Sequence, residues 1–185
     1  RAFDDFDALV EALVLAIEPR LDRPYALFGH SMGGLVAFEL TRALRRRGAP
    51  LPAHLFASAS QAPSRWISIP LALSLESAAL WRAANELYGT PLEGELPSDL
   101  LDLVVPPLRT DLKLLERYRY AEQAPLTLPI TALVGSRDTM VTRETAAGWA
   151  RETTGAFAVH EVPGPHLFLQ ESVAQVGARL RASWR

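Results

Sequence analysis

The stretch Gly29-His30-Ser31-Met32-Gly33 fits the pattern G-x-S-x-G. An apolar run from Tyr25 to Phe28 precedes it, and a helical pattern from Leu35 to Arg47 follows at once. A strand, a sharp turn and a helix around a serine are typical of a nucleophile elbow, whose strained backbone lifts the serine out of the sheet. Glycines 29 and 33 are expected there because a Cβ atom would collide with the neighbouring strand or helix. The alternative is a glycine-rich turn around a serine without chemical role.

Two residues that could complete a catalytic group follow two later strand patterns. Asp138 comes after the apolar segment 128–134, and His166 comes after the segment 157–162. The carboxyl ends of parallel strands meet at one edge of a sheet, so Ser31, Asp138 and His166 are expected to converge there. Their order along the chain, Ser, Asp, His, is that of the α/β-hydrolase triad.

Each of the three residues has a chemical role that its type can fill. His166 would act as the base that removes the proton of Ser31, and Asp138 would hold the imidazole in the right tautomer and stabilise the imidazolium. The backbone N–H of Met32, at the start of a helix, would supply half of an oxyanion hole. An aspartate that merely forms a turn, and a loop histidine without a role, are the alternatives.

The other histidines and the remaining motifs point to no further chemistry. His30 directly precedes the serine, so its side chain should point away from that of Ser31, and His54 and His160 lie on strands; all three are interpreted as structural. No His, Asp and Glu cluster has metal-ligand spacing, and no Gly-Lys-Ser/Thr follows the glycines of the elbow. We therefore expect neither a metal nor a cofactor.

Composition narrows the class of protein. The 185 residues carry a formal charge of −2, with 49% hydrophobic and 22% charged residues. This is typical of one globular domain and argues against a nucleic-acid or anionic membrane surface. No apolar run is long enough for a membrane span, and the acidic start does not resemble a signal peptide, so a cytoplasmic location is predicted. The absence of cysteine excludes a thiolate nucleophile and leaves serine as the obvious one.

Alternating strand and helix patterns predict an α/β fold with a mostly parallel sheet and helices on both faces. The predicted strands are 25–28, 53–60, 128–134 and 157–162. The predicted helices are 3–21, 35–47, 142–153 with Thr142 as its N-cap, and 167–184. Because the chain begins on a helix, either the sheet is small or its N-terminal strands are missing.

The segment between the second and third strands has a different pattern. Prolines punctuate it, helices are predicted over 73–88 and 98–120, and no strand pattern occurs. Placed between two sheet strands, it predicts a helical lid at about 64–122 over the strand ends. Its apolar residues could line an acyl-binding chamber or simply pack the lid onto the core. These residues are Trp66, Ile69, Leu71, Trp81, Leu87 and Val105.

Three groups of segments resemble the type II thioesterases, the editing hydrolases of polyketide synthase and nonribosomal peptide synthetase systems. They are Phe28 to Gly33 with Ala37-Phe38-Glu39-Leu40; His54 to Ser58 with Ala62-Pro63; and Tyr118-Arg119-Tyr120 with Pro129 to Leu133, Asp138, Trp149, Thr153-Thr154-Gly155 and Pro163 to His166. The resemblance covers essentially the whole chain. The later segments are more specific than the elbow, which many hydrolases share.

This resemblance implies an α/β-hydrolase fold and a substrate class. Type II thioesterases remove short or aberrant acyl groups from the phosphopantetheine thiol of acyl and peptidyl carrier proteins. The matched positions imply Ser31 as nucleophile, Asp138 as acid and His166 as base. The family also has strands and a loop before its first helix, and that loop supplies a second oxyanion donor. We therefore expect an N-terminal segment on the order of 60 residues to be missing from the chain.

Related thioesterase domains at synthase termini commonly place their acid directly after the strand that follows the elbow helix. Residues 58–65 contain no Asp or Glu, which favours the stand-alone editing type. Two alternatives remain open. One is a general carboxylesterase or acyltransferase with the same triad, and the other is a non-catalytic carrier-docking module.

Overall fold

A computed structural model describes residues 3, 5–66, 75–89 and 96–183. The strands are β1 (Ala26–His30), β2 (His54–Ser58), β3 (Ile130–Gly135) and β4 (Phe157–Val162). The helices are α1 (Phe6–Ile17), α2 (Met32–Arg47), α3 (Ser77–Tyr88), α4 (Ser98–Arg117), α5 (Arg143–Ala146) and α6 (Leu169–Ser183). The four strands form one sheet in the order β1-β2-β3-β4, and every neighbouring pair is parallel.

The two faces of the sheet carry separate apolar clusters. Side chains alternate along a strand, so Ile130 and Ala132 of β3 pack with Phe38 and Trp149 on one face, while Leu133 packs with Phe168 and α6 on the other. Strands buried on both faces read as continuous apolar runs, which is why β2 and β3 were recognisable in the sequence. The predicted α/β class, with a parallel sheet and helices on both sides, is confirmed.

The helix predicted over 142–153 is wrong in length. Thr142 does cap a helix, because its hydroxyl accepts the Thr145 N–H, but α5 ends after one turn. The chain continues as a 3-10 helix over Ala147–Arg151. There Trp149 is fully buried and donates its indole N–H to the Ser60 carbonyl at 2.8 Å. This tertiary contact decides the local backbone, which periodicity alone assigned to a longer α-helix.

Among the described residues, the segment between β2 and β3 is helical and adds no strand to the sheet. Residues 64–122 are called the insertion below. Val105 and Trp81 pack against Leu80 and Leu112 in a cluster that residues of the insertion form among themselves. Trp66 instead donates its indole N–H to the Leu115 carbonyl at 3.3 Å. Leu87 is half-buried, whereas residues 69 and 71 lie outside the described residues. That the insertion acts as a lid stays a prediction.

A buried arginine on α2 ties the end of the insertion to the body of the domain. Arg42 is 2% exposed and lies 2.9 Å from the Glu39 carboxylate. Its guanidinium also donates to the Ala121 carbonyl and lies 5.4 Å from the centre of the Tyr120 ring. The Tyr118 hydroxyl donates to the same Glu39 carboxylate at 2.7 Å. Three residues that follow α4 therefore contact one ion pair of α2.

Replacing Arg42 is expected to destabilise the domain strongly. In Arg42→Met the Glu39 carboxylate keeps a low-dielectric site but loses its cation, which costs about 3 kcal/mol. The free energy of unfolding, measured by urea denaturation, checks this. Arg46→Met is the matched control, since Arg46 is an exposed arginine of the same helix and its replacement should change stability by less than about 0.5 kcal/mol. Equal effects of the two substitutions would contradict the role of the ion pair.

Candidate active site

Ser31 stands at the turn between β1 and α2 with strained backbone. Its φ of 54° and ψ of −120° lie outside the regions that L-residues normally occupy. The Ser31 N–H donates to the Ser58 carbonyl on β2 at 2.7 Å, which fixes the turn to the sheet. The strained elbow expected from G-x-S-x-G is therefore present.

Crowding around the elbow falls on Gly29, as expected, and on Gly34 in place of Gly33. A Cβ atom at Gly29 would lie 1.9 Å from the Gly33 carbonyl oxygen, so Gly29 is required. A Cβ atom at Gly33 would meet nothing within 4 Å, and the steric reason expected for that glycine is wrong. The second crowded position is Gly34, whose Cβ would lie 2.6 Å from the Ser60 side chain. The first turn of α2 presents Gly34, and not Gly33, to the loop after β2.

The structure brings Ser31, Asp138 and His166 into one hydrogen-bonded row. Nε2 of His166 lies 2.9 Å from Oγ of Ser31, and Nδ1 lies 2.9 Å from Oδ2 of Asp138. The side chains of Asp138 and His166 are almost completely buried. Because a carboxylate only accepts, Nδ1 carries the proton of the neutral ring, and Nε2 is left to accept the serine hydroxyl. This arrangement suits transfer of a proton from the hydroxyl to the imidazole.

The carboxylate of Asp138 is held in its ionised form. Burial acts to raise its pKa, but the hydrogen bond and the charge of His166 and the backbone N–H groups of Val141 and Met140 outweigh burial, and the pKa is lowered. The two N–H groups donate to Oδ1 at 3.0 and 2.8 Å, leaving Oδ2 for the imidazole. The turn after β3 therefore orients the carboxylate as well as carrying it.

His30 contacts the loop that carries His166. Its Nδ1 lies 2.9 Å from the Ser58 hydroxyl, and its Nε2 lies 3.0 Å from the His166 carbonyl oxygen. The ring also packs edge-on against Phe168, with ring centres 5.1 Å apart. Burial, followed by the charge of His166, lowers the pKa of His30 to about 4. The structural role predicted for His30 thus includes a contact with the loop that carries His166, which its position in the sequence did not indicate.

The other predicted residues take the places expected of them in the fold. His54 lies on β2 and shares a 2.9 Å hydrogen bond with Thr131, while His160 lies on β4. Met32 is the first residue of α2, where backbone N–H groups lack partners within the helix. Its part in an oxyanion hole stays a prediction. Within the described ranges, no three His, Asp or Glu side chains are placed to share a metal ion.

Tyr88, the last residue of α3, is a site residue that the sequence did not reveal. Its ring stacks on the His166 imidazole with ring centres 5.3 Å apart and planes 14° apart. Burial, followed by the charge of Asp111, raises the pKa of its phenol, which stays protonated at neutral pH. No local pattern marks a helix-end tyrosine as a neighbour of a residue so far along the chain. The contact joins the end of α3 to the loop after β4, two segments that are far apart in the chain.

The thioesterase domain family model matches residues 1–183. The protein belongs to the thioesterase domain family. This assignment accounts for the parallel sheet, the strained serine elbow and the chain order of the three converging residues, all of which belong to the α/β-hydrolase fold. The chain is accordingly a serine hydrolase of the thioesterase class.

Individual relatives of this thioesterase come from biosynthetic systems. RedJ, a thioesterase from the prodiginine biosynthetic pathway in Streptomyces coelicolor, is 39% identical with a TM-score of 0.88, covering 96% of this chain and 71% of RedJ. The type II thioesterase BorB from the borrelidin biosynthetic cluster is 33% identical with a TM-score of 0.87, covering 99% of this chain and 74% of BorB. Thioesterase PikA5 of Streptomyces venezuelae is 36% identical, covering 91% of this chain and 60% of PikA5. The resemblance to type II thioesterases is confirmed, and the chain spans only part of each relative.

Across the described part of this thioesterase, no helix combines the length and the apolar character that crossing a membrane requires.

The two elbow glycines are expected to respond differently to an added methyl group. Gly29→Ala should lower the free energy of unfolding by about 3 kcal/mol or more, since its Cβ overlaps backbone atoms that cannot move independently. Gly33→Ala has open space and a negative φ, so its change should stay within about 1 kcal/mol. Urea denaturation of the two variants checks this. Equal losses of stability would show that crowding at Gly29 is not decisive.

The lowered pKa of His30 predicts a loss of stability in acid. Between pH 4 and the ordinary histidine value of about 6.5, the unfolded chain binds more protons at this site than the folded chain. The contribution of His30 is therefore fully present above pH 6.5 and is lost progressively as the pH falls towards 4. The free energy of unfolding should fall less steeply in His30→Phe than in the wild type across this window. Urea denaturation at pH 6.5, 5.5 and 4.5 measures both slopes, and equal slopes would refute the assignment.

Proposed function

We propose that this thioesterase hydrolyses short or aberrant acyl groups from the phosphopantetheine thiol of acyl and peptidyl carrier proteins, with Ser31, His166 and Asp138 as its catalytic residues. The observation that carries the proposal is the row in which one buried imidazole bridges a strained serine and an ionised carboxylate at 2.9 Å on each side. The family explains why the scissile bond is a thioester. The biosynthetic systems named for RedJ and BorB support carrier proteins as the source of that thioester.

The first half of the reaction transfers the acyl group to the protein. Oγ of Ser31 attacks the thioester carbonyl carbon while its proton passes to Nε2 of His166. The negative charge on the carbonyl oxygen is stabilised by the Met32 N–H at the start of α2. When the C–S bond breaks, the departing sulfur takes the proton from Nε2, and the carrier leaves with a free thiol. Asp138 stabilises the imidazolium that exists between the two proton transfers.

The second half of the reaction releases the acyl group with water. His166 takes a proton from the water molecule, whose oxygen attacks the acyl carbon of the Ser31 ester. The C–O bond to Ser31 then breaks, and the proton on Nε2 passes to Oγ. The products are a carboxylic acid and the regenerated serine. Since a thiolate is a better leaving group than an amine, this sequence needs less acid assistance than amide hydrolysis does.

The insertion is proposed to act as a lid over this site. It reaches the site through Tyr88, which covers one face of the imidazole, while Arg42 and Glu39 anchor its far end. A cover that is anchored to α2 and stacks on the imidazole suits a site that must admit a long phosphopantetheine arm and then exclude excess water.

The test compares three acyl donors with one acyl group. Hydrolysis of acetyl-phosphopantetheinyl carrier protein, of the acetyl thioester of N-acetylcysteamine and of an acetyl oxygen ester is followed for the wild type. We expect carrier turnover to dominate and Ser31→Ala to reduce it at least about 1,000-fold. Ser60→Ala is the matched control, because Ser60 is a buried serine near the elbow whose hydroxyl has no hydrogen-bond partner among the described residues. It should keep turnover within about threefold.

Each other outcome points to a different conclusion. Ester cleavage without a preference for the carrier would indicate a general carboxylesterase or acyltransferase. Turnover that persists in Ser31→Ala would show that the nucleophile is assigned wrongly. A wild type that neither turns over these donors nor reacts with a fluorophosphonate at Ser31 would indicate a non-catalytic carrier-docking module.

A further inference from the structure

The residue proposed as the base lies in a loop, and a loop must be held in place if a hydrogen bond is to form at the right distance. His166 follows β4 and precedes α6, with no regular element of its own. Its side chain is fixed by Ser31 and Asp138, but both are reaction partners. The main chain of His166 is fixed separately, because its carbonyl oxygen lies 3.0 Å from Nε2 of His30.

The hydrogen-bond partners of His30 define its tautomer. A carbonyl oxygen can only accept, so Nε2 of His30 carries the hydrogen. Nδ1 of the neutral ring must then accept, and its partner at 2.9 Å, the Ser58 hydroxyl, can donate. Burial and the charge of His166 lower the pKa of His30 to about 4, which keeps this neutral form at physiological pH. Both ring nitrogens are thus satisfied in one orientation only.

Ser58 anchors the His30 ring to the sheet. It is completely buried and pairs with His30 on one side and Leu133 on the other, so it lies inside the sheet. Its carbonyl accepts the Ser31 N–H at 2.7 Å, while its hydroxyl serves His30. One residue therefore holds both the backbone of the nucleophile and the ring that holds the base loop. The hydrogen bond between Nε2 of His166 and the Ser31 hydroxyl completes this ring of contacts.

We propose that His30, oriented by Ser58, is a positioning residue that holds the loop of His166 at hydrogen-bond distance from Ser31. The inference rests on the proposed function in one respect, namely that His166 is the base. His30 has no hydrogen bond to the Ser31 hydroxyl among the described contacts, and it acts through the carbonyl of His166. A base in a loop keeps its distance from the nucleophile when a rigid link joins the loop to the sheet, and the link from Ser58 through His30 to His166 has two hydrogen bonds.

The decisive variant is His30→Phe. It keeps a ring to pack against Phe168 and removes both hydrogen bonds. A base displaced by about 1 Å can cost on the order of 100-fold in rate, so we expect kcat for the N-acetylcysteamine thioester to fall about 10- to 100-fold. KM should change less than threefold, because the hydrogen bonds of the His30 ring go to Ser58 and to the main chain of His166. The second-order rate of Ser31 labelling by a fluorophosphonate should fall in parallel with kcat.

Four further measurements separate positioning from general stability. His30→Gln, whose amide can donate to the carbonyl, should recover part of the lost kcat. Ser58→Ala leaves the His30 ring but removes the hydroxyl that hydrogen-bonds its Nδ1 and orients the ring, and kcat should fall about 3- to 10-fold. His54→Phe is the matched control, since His54 is also a histidine of the sheet with one side-chain hydrogen bond, but lies at the opposite end of β2. It should reduce stability without lowering kcat.

In 15N NMR spectra at pH 7, His30 should have the Nε2–H tautomer.

The contrary results are distinct from those that would refute the proposed function. If folded His30→Phe keeps its labelling rate and kcat within twofold of the wild type, the positioning role is wrong. If His30→Phe does not fold, Ser58→Ala decides, and an unchanged kcat in that variant overturns the proposal. An Nδ1–H tautomer or an imidazolium at pH 7 would also overturn it. If the fluorophosphonate does not label the wild type at all, the proposed role of Ser31 as nucleophile is wrong. Preference for a carrier protein is not measured in this test.

Discussion

The hydrogen bond from the Ser31 N–H to the Ser58 carbonyl joins the strained elbow to the sheet, and the geometry of the site depends on it. Ser31 has a φ of 54°, a conformation that persists only when neighbouring structure enforces it. The turn is possible because Gly29 has no Cβ atom, which lets the Gly33 carbonyl approach it closely. The hydrogen bond to β2 sets the direction of the turn. A serine hydroxyl aimed at one point can then be matched by a base and an acid from later loops.

Two kinds of interaction bring distant segments to that point. Parallel register places the loops after β1, β3 and β4 at one edge of the sheet, which brings together residues more than 100 positions apart. The insertion is held instead by side chains, through the ion pair of Arg42 with Glu39 at its end and the stacking of Tyr88 on His166 at the site. The sheet therefore determines the relative positions of Ser31, Asp138 and His166, while the insertion places Tyr88 against the imidazole.

The elements with strong local signals were predictable. Apolar runs and periodicity predict the four strands, α2 and α4. The structure differs at the end of α4, which is Arg117 and not residue 120. The helix over 142–153 was not, because burial of Trp149 against Ser60 draws the backbone into a 3-10 helix. The steric need for Gly33 was also misjudged, since which glycine faces the next loop depends on the rotation of α2 against β2.

Taken by itself, the sequence determined the parallel α/β class, the elbow at Ser31 and the choice of Asp138 and His166 as its companions. These conclusions follow from short strand and turn patterns, each formed by a few neighbouring residues, and from the order of the three residues along the chain. Only the tertiary structure decided that His30 reaches the His166 carbonyl, that Tyr88 stacks on the imidazole and that Arg42 anchors the insertion. Such contacts join residues 78 to 136 positions apart, and no local propensity encodes which side chains will meet across that separation.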